Sequence, residues 1–203
     1  AQRRLSADTV NFSASSSSLQ KGETFKDTVQ NIEAMKIDAV VMRHPTPGAP
    51  LHLTKHIDAI VINAGDGARE HPTQAILDIT SLHEKFGYLK GLKIGIIGDI
   101  SHSRVALSNI HGLKTMGAEV TLCGPATLIP PHAEELGVNV NYNLDEVIKW
   151  ADALNVLRIQ RERMSGGLLP SVREYRNLFG ITPERLANQK KELIMKIPND
   201  YNY

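Results

Sequence analysis

The sequence predicts an α/β protein made of two α/β units, each with a parallel sheet flanked by helices, the two joined by a bridging helix. Short apolar, β-prone runs alternate with stretches of helical period, which is the rhythm of βαβ units. Glycines stand just past two of the helical stretches, at Gly87 and Gly117, as helix stops. Arginine, histidine and hydroxyl residues gather after the apolar runs, at the strand ends where open α/β sheets bind ligands.

In chain order, Ala1 to Leu5 reads as the tail of a helix, and Thr9–Phe12 is the first expected strand. A helix near Thr24–Lys36 follows, then strands at Ala39–Met42 and Ala59–Ile62. His71–Phe86 places Ala75, Ile76, Ile79 and Leu82 on one side and is the expected bridge. A second series opens at Leu92–Ile97, continues in a helix over Arg104–Met116 with Ala106, Ile110 and Leu113 on one face, and returns at Glu119–Leu122. A weaker repeat follows: a strand at Val138–Val140, a helix near Leu144–Trp150 and a strand at Ala153–Leu157. Thr182-Pro183-Glu184 supplies an N-cap, a proline at the first helical position and an acid in the first turn of a late helix, after which a strand ends near Met195. The domain boundary is expected between residues 72 and 73.

Composition narrows the function. With 203 residues, 41% hydrophobic and 22% charged, the chain is long enough for a sizeable core. Lys+Arg 23 against Asp+Glu 22 leaves a net charge of +1, so no global field recruits nucleic acid or an anionic membrane, and any anion site has to be built locally. No apolar run reaches the roughly 18 to 20 residues of a membrane span. The single cysteine, Cys123, forms no intramolecular disulfide, and a reducing cytoplasmic home is expected.

The candidate chemistry lies in loops. Ser13–Thr24, with its hydroxyls, Lys21 and Gly22 before a helix, suits a loop that closes over an anion; the alternative is a solvated loop. Arg43 and His44 stand at a strand end, where a guanidinium fork holds phosphate or a polarised carbonyl; alternatively they are a surface ion pair and a packed imidazole. After the next strand come Asn63-Ala64-Gly65-Asp66-Gly67 and then His71-Pro72-Thr73-Gln74, with Asp78 one turn on. His71 and Gln74 at a positive helix end suit a carbonyl and an NH2 group, or else they cap the helix. Gly98–Arg104 follows a buried strand but is not the Gly-x-Gly-x-x-Gly dinucleotide fingerprint, so a nicotinamide cofactor is not expected. Arg158 repeats the strand-end placement, and three such arginines, Arg43, Arg104 and Arg158, suggest a cleft for a ligand with several negative charges. A metal site is not expected, since His52 and His56 are spaced i,i+4 without the Glu of His-Glu-x-x-His and Cys123 has no partner cysteine. No Gly-x-Ser-x-Gly elbow offers a serine nucleophile.

Six segments in order resemble the catalytic chain of the aspartate carbamoyltransferases. They are Ser-x-x-Lys-Gly-Glu-Thr at 18–24, Val-Met-Arg-His-Pro at 41–45, Asn-Ala-Gly-Asp-Gly at 63–67, His-Pro-Thr-Gln at 71–74, Gly-Asp-Ile-x-His-Ser-Arg at 98–104 and Arg-Ile-Gln-x-Glu-Arg at 158–163. Lys-Gly-Glu-Thr and Arg-His-Pro resemble the aspartate branch rather than the related ornithine enzymes, and Gly-Asp-Ile-Ser-His-Ser-Arg looks like bacterial members. The resemblance implies a transfer of the carbamoyl group of carbamoyl phosphate to the amine of L-aspartate, an early committed step of de novo pyrimidine biosynthesis, with no cofactor. It implies a carbamoyl-phosphate-binding domain over 1–72 and an aspartate-binding domain over 73–203. By position, Arg43 and His71 are implied on the carbonyl oxygen, Arg43 also on phosphate, Gln74 on the carbamoyl NH2, and Arg104, Arg158 and Gln160 on the aspartate carboxylates. Ser18 and Lys21 are implied to reach a neighbouring subunit's site, hence a homotrimer with shared active sites.

Two departures from the family pattern imply a partial polypeptide. The family's Ser-Thr-Arg-Thr-Arg segment has no counterpart here, and Lys196-Ile197-Pro198-Asn199-Asp200 stands where the family has a His-Pro-x-Pro turn. Two other readings are a non-catalytic binding homologue and a transcarbamoylase for another amino acid.

Overall fold

The computed structural model describes residues 2–11, 30, 31, 33, 34, 36–159, 171–187 and 193–196. The chain forms two compact units, one of Ala1–Met42 and Ala49–Ile62, the other of Arg43–Gly48 and Asn63–Tyr203. Strands β1 (Ala39–His44) and β2 (Ile60–Asp66) pair with each other, and between them runs the short helix α1 (Ala49–Leu53).

The first unit has a small core of Met42, Leu53 and Ile57, against which Val40, Ala49, Ala59 and Val61 pack. Gln2–Leu5 is a 3-10 turn rather than the tail of an α-helix. The strand expected at Thr9–Phe12 is absent over residues 9–11, which carry no regular structure; Phe12 lies outside the described residues. A strand is a paired object, and β-prone residues in a run of four supply no partner: Val10 is 69% exposed. Of the helix expected near Thr24–Lys36, Gln30, Asn31 and Glu33 are helical, and the part before Gln30 lies outside the described residues.

The second unit holds a five-stranded parallel sheet in the order β5-β4-β3-β6-β7. Its strands are β3 (Lys93–Ile97), β4 (Glu119–Cys123), β5 (Asn139–Val140), β6 (Ala153–Val156) and β7 (Ile194–Lys196). On one face, Ile94, Ile96, Val120 and Leu122 meet Ala106, Ile110 and Leu113 of helix α3 (Arg104–Thr115). On the other, Ile97, Cys123, Leu154 and Val156 meet Leu144, Val147 and Ile148 of α4 (Leu144–Trp150) and Tyr175 and Phe179 of α5 (Val172–Phe179). Side chains that alternate along β3 thus feed two cores, as a sheet covered on both faces requires. A further helix, α6 (Pro183–Ala187), is the late helix that Thr182 and Pro183 signal.

Helix α2 (Pro72–Phe86) lies within this second unit and packs on α3, where a side chain at Gly112 would meet Ile79 at 2.6 Å. Ala75, Ile79, Leu82 and Phe86 form its inner stripe, whereas Ile76, expected on that stripe, is 63% exposed. One residue is about 100° of helical rotation, enough to carry position 76 off a stripe spaced 75, 79, 82, 86.

The strand order decides where ligands bind. The chain leaves β3 toward β4 and β5 on one side, then returns to place β6 and β7 on the other, so the order reverses between β3 and β6. At such a switch point the two following loops diverge and open a crevice at the carboxyl ends. Here those loops begin at Gly98 and Leu157. The strand ends are close-packed: Leu157 N–H donates to Ile97 O at 2.7 Å, Gly98 N–H to Cys123 O at 2.9 Å, and a side chain at Gly98 (φ +120°) would sit 3.0 Å from Leu157 O.

Candidate active site

The five predicted site residues that fall among the described residues all lie in the second unit. Arg43 stands exposed near the end of β1. His71 and Gln74 are half-buried at the start of α2, Arg104 is buried as the first residue of α3, and Arg158 is half-buried two residues past β6. Arg104 and Arg158 therefore follow the two strands that flank the switch point. Ser18, Lys21 and Gln160 lie outside the described residues.

Arg104 is positioned by a loop whose sequence exists to receive it. Gly65 has φ +119°, and a side chain there would lie 3.0 Å from the guanidinium carbon of Arg104. Gly67 O accepts from Arg104 Nη1 at 3.2 Å. Asp66, 3% exposed, ties the loop down by accepting from Gly48 N–H (2.8 Å) and Glu70 N–H (3.0 Å), while Asn63 Oδ1 accepts from Gly65 N–H at 2.8 Å. Gly67 N–H donates to His44 O at 2.8 Å. The segment after β3 is fixed in turn by buried Asp99, whose Oδ1 lies 2.8 Å from His102 Nδ1 and accepts from His102 N–H at 3.2 Å. Ser103 then caps α3 by accepting from Ala106 N–H at 3.3 Å.

His71 and Gln74 do not cap their helix. His71 makes no side-chain capping bond; its backbone N–H donates to Ser108 Oγ at 2.8 Å, and Gln74 Nε2 donates to Asp78 Oδ1 at 2.9 Å. Thr73 Oγ1 lies 3.2 Å from His71 Nδ1; with that hydroxyl donating, the ring proton sits on Nε2, which becomes the donor for a ligand. Burial lowers the His71 pKa below the ordinary value, and the charges of Arg104, Arg43 and Lys196 lower it further, against an upward pull from Asp78. The imidazole is therefore neutral at pH 7 and sits among cations that suit an anion.

A pH effect follows. The unfolded histidine takes up its proton near pH 6.5 and the folded one only below that, so stability falls as pH drops from the first value through the second. In an NMR titration the His71 ring is expected to have its midpoint below 6.5 and to move upward in Arg104→Ala. An Arg104→Ala midpoint at or below the wild-type value would contradict the electrostatic part of this account.

His44 behaves as the packed alternative: half-buried, its Nδ1 accepts the Thr46 N–H at 3.0 Å and shapes the turn after β1. Cys123 is fully buried, and burial pushes its thiol up to about 12, which removes it as a nucleophile. Among the described residues, no three His, Cys, Asp or Glu side chains are grouped to hold a metal ion, and no helix is long and apolar enough to cross a membrane. A depression of about 600 Å3 between the Asn141–Glu146 segment and α5 is bordered by none of the strand-end arginines.

Sequence reasoning gave no role to Asp66, Asp78, Asn109 or Lys196. Asp78, 8% exposed, accepts from Gln74, from Asn109 Nδ2 at 2.8 Å and from Lys196 Nζ at 2.5 Å. An acid one turn after Gln74 on the same helix face was the available signal.

Residues 1–84 match the family model described as "Aspartate/ornithine carbamoyltransferase, carbamoyl-P binding domain". Over 202 residues, 100% of this chain, the sequence is 57% identical to the aspartate carbamoyltransferase catalytic subunit of Christiangramia forsetii and 56% identical to that of Prosthecochloris aestuarii, covering 65% of each. The chain thus spans about 65% of the length of the curated relatives it matches. Among solved structures, aspartate transcarbamoylase from Trypanosoma cruzi in complex with carbamoyl phosphate superposes with a TM-score of 0.87 at 32% identity, over 96% of this chain and 64% of that one. The same enzyme in complex with carbamoyl phosphate and aspartate gives 0.84 at 31% identity, over 96% and 65%.

Proposed function

Because this chain belongs to the aspartate carbamoyltransferase catalytic-chain family, we propose that it carries the machinery that transfers a carbamoyl group from carbamoyl phosphate to L-aspartate, giving N-carbamoyl-L-aspartate and phosphate. In the organism this is the early committed step of de novo pyrimidine synthesis. The observation that carries the reading is a half-buried His71 kept neutral by burial and by the charges of Arg104 and Arg43, beside an amide held by Asp78.

The chemistry asks for these groups. A deprotonated aspartate amine attacks the carbamoyl carbon, negative charge grows on the carbonyl oxygen, and phosphate leaves with the C–O bond electrons and takes up the proton that the amine nitrogen loses. His71 Nε2–H and Arg43 donate to that oxygen, Arg43 also holds phosphate, and Gln74 accepts from the carbamoyl NH2. Arg104 and Arg158, on either side of the switch point, hold the aspartate carboxylates with Gln160. Every step is accomplished by positioning and charge stabilisation, and no cofactor or metal is needed. Ser18 and Lys21 serve a neighbouring subunit's site, so the working assembly is a homotrimer in the cytoplasm, without nucleic-acid or membrane partners. Residues 1–72 serve carbamoyl phosphate and residues 73–203 serve aspartate, with Gln74 at the start of the second segment turned to the carbamoyl group.

The test is phosphate release from carbamoyl phosphate with L-aspartate, with L-ornithine as control. Aspartate-dependent release, competed by succinate, is the expected result. Release with ornithine but not aspartate would overturn the assignment of Arg104 and Arg158 to two carboxylates, and carbamoyl phosphate binding without turnover would favour a binding homologue.

A further inference from the structure

Gln74 is a useful reader of a substrate NH2 only if its amide faces one way. An amide carries an acceptor and a donor that differ little in shape, so something must fix which end meets the ligand. Asp78 does this. As a carboxylate it has no proton to give, and each of its three partners donates to it: Gln74 Nε2 (2.9 Å), Asn109 Nδ2 (2.8 Å) and Lys196 Nζ (2.5 Å). With its NH2 committed to Asp78, Gln74 has Oε1 left to accept.

Lys196 is the only cation among these three partners. Asp78 is 8% exposed, and a buried carboxylate held by neutral amides alone is costly unless it gains a cation, takes up a proton or turns toward water. The lysine arrives from the last residue of β7, 118 positions along the chain, at the same carboxyl edge of the sheet as Arg158. Its charge also reaches His71, so the ammonium acts on both groups assigned to the carbamoyl end of the ligand.

We propose that Lys196 is a positioning residue: by neutralising Asp78 it holds the Gln74 amide with Oε1 toward the ligand, and so makes the pocket select a carbamoyl NH2 over an isosteric methyl. This rests on the reading of Gln74 given above. Two substitutions release the amide by different routes. Lys196→Met removes the cation. In Asp78→Asn the neutral replacement accepts from Asn109 through its oxygen and turns its own NH2 toward Gln74, whose Oε1 is then drawn inward and whose NH2 meets the ligand.

The experiment compares binding of carbamoyl phosphate and acetyl phosphate to the full chain by phosphorus NMR. Wild type is expected to favour carbamoyl phosphate by about tenfold, the value of one hydrogen bond that a methyl does not make. Lys196→Met and Asp78→Asn are expected to bring that ratio close to one by weakening carbamoyl phosphate about tenfold more than acetyl phosphate, and Lys196→Arg restores it. A merely structural role would weaken both ligands together. A wild-type ratio retained in either folded variant overturns the inference alone. A wild type without preference overturns the reading of Gln74 and the inference with it.

Discussion

Arg43→Ala is expected to lower turnover by about a hundredfold to a thousandfold in a preparation active in phosphate release, the usual cost of one oriented donor to a developing oxyanion. The magnitude follows from where charge appears. In carbamoyl phosphate the carbonyl oxygen is weakly polar; in the tetrahedral species it carries most of a negative charge, so a fixed guanidinium gains more from the second than from the first. Arg43 is exposed, so its loss is expected to register in turnover rather than in stability. His71→Ala is expected to act in the same direction with a smaller loss, because a neutral imidazole donates without a charge. Steady-state rates at saturating aspartate check both. An Arg43→Ala enzyme with wild-type turnover and only a raised carbamoyl phosphate requirement would make Arg43 a ground-state anchor.

The parts of this molecule that the sequence reveals are those governed by local physics. Strands β3, β4 and β6 and helices α2, α3 and α4 fall close to where periodicity and stop signals put them, because each is buried on a face that its own residues define. Helix α1 escaped because five residues hold too little of a period to register. Helix α5 had a signal that went unused: Ser171-Val172-Arg173-Glu174 is a capping-box sequence, and Ser171 Oγ accepts from Glu174 N–H at 3.0 Å. The strand expected at Thr9 failed for the opposite reason, a local preference without a partner.

The site divides along the same line. The places of Arg43, His71, Gln74, Arg104 and Arg158 at strand ends and helix starts were legible, because such ends announce themselves. Their supports were not, since Asp78 reaches Asn109 across 31 positions and Lys196 across 118. Gly65 was visible as a motif residue, but its task, leaving room for a guanidinium from another element, exists only once Arg104 is in place.

That placement makes Arg104→Ala the second large effect, and one of a different kind. The expected outcome is a rise in the aspartate requirement of about tenfold to a hundredfold, with a much smaller change for carbamoyl phosphate, as for a charge-assisted pair to the second substrate. Arg158→Ala is expected to shift the same constant in the same direction. Arg104 also carries a structural load: it is 8% exposed and fills the space over Gly65, so its removal leaves a void and takes a donor from the Gly67 carbonyl. Arg104→Ala is therefore expected to melt below wild type. Arg104→Lys restores the charge but not the planar fork that reaches Gly67 O and a carboxylate together, so it recovers little. Gly65→Ala provides the converse test, because its methyl would lie 3.0 Å from the Arg104 guanidinium carbon and displace it without altering any charge. If Gly65→Ala weakens aspartate as Arg104→Ala does, geometry sets the site's affinity; if it has no effect, the guanidinium acts only as a diffuse positive charge. Equal effects of Arg104→Ala on both substrates would count against its assignment to aspartate.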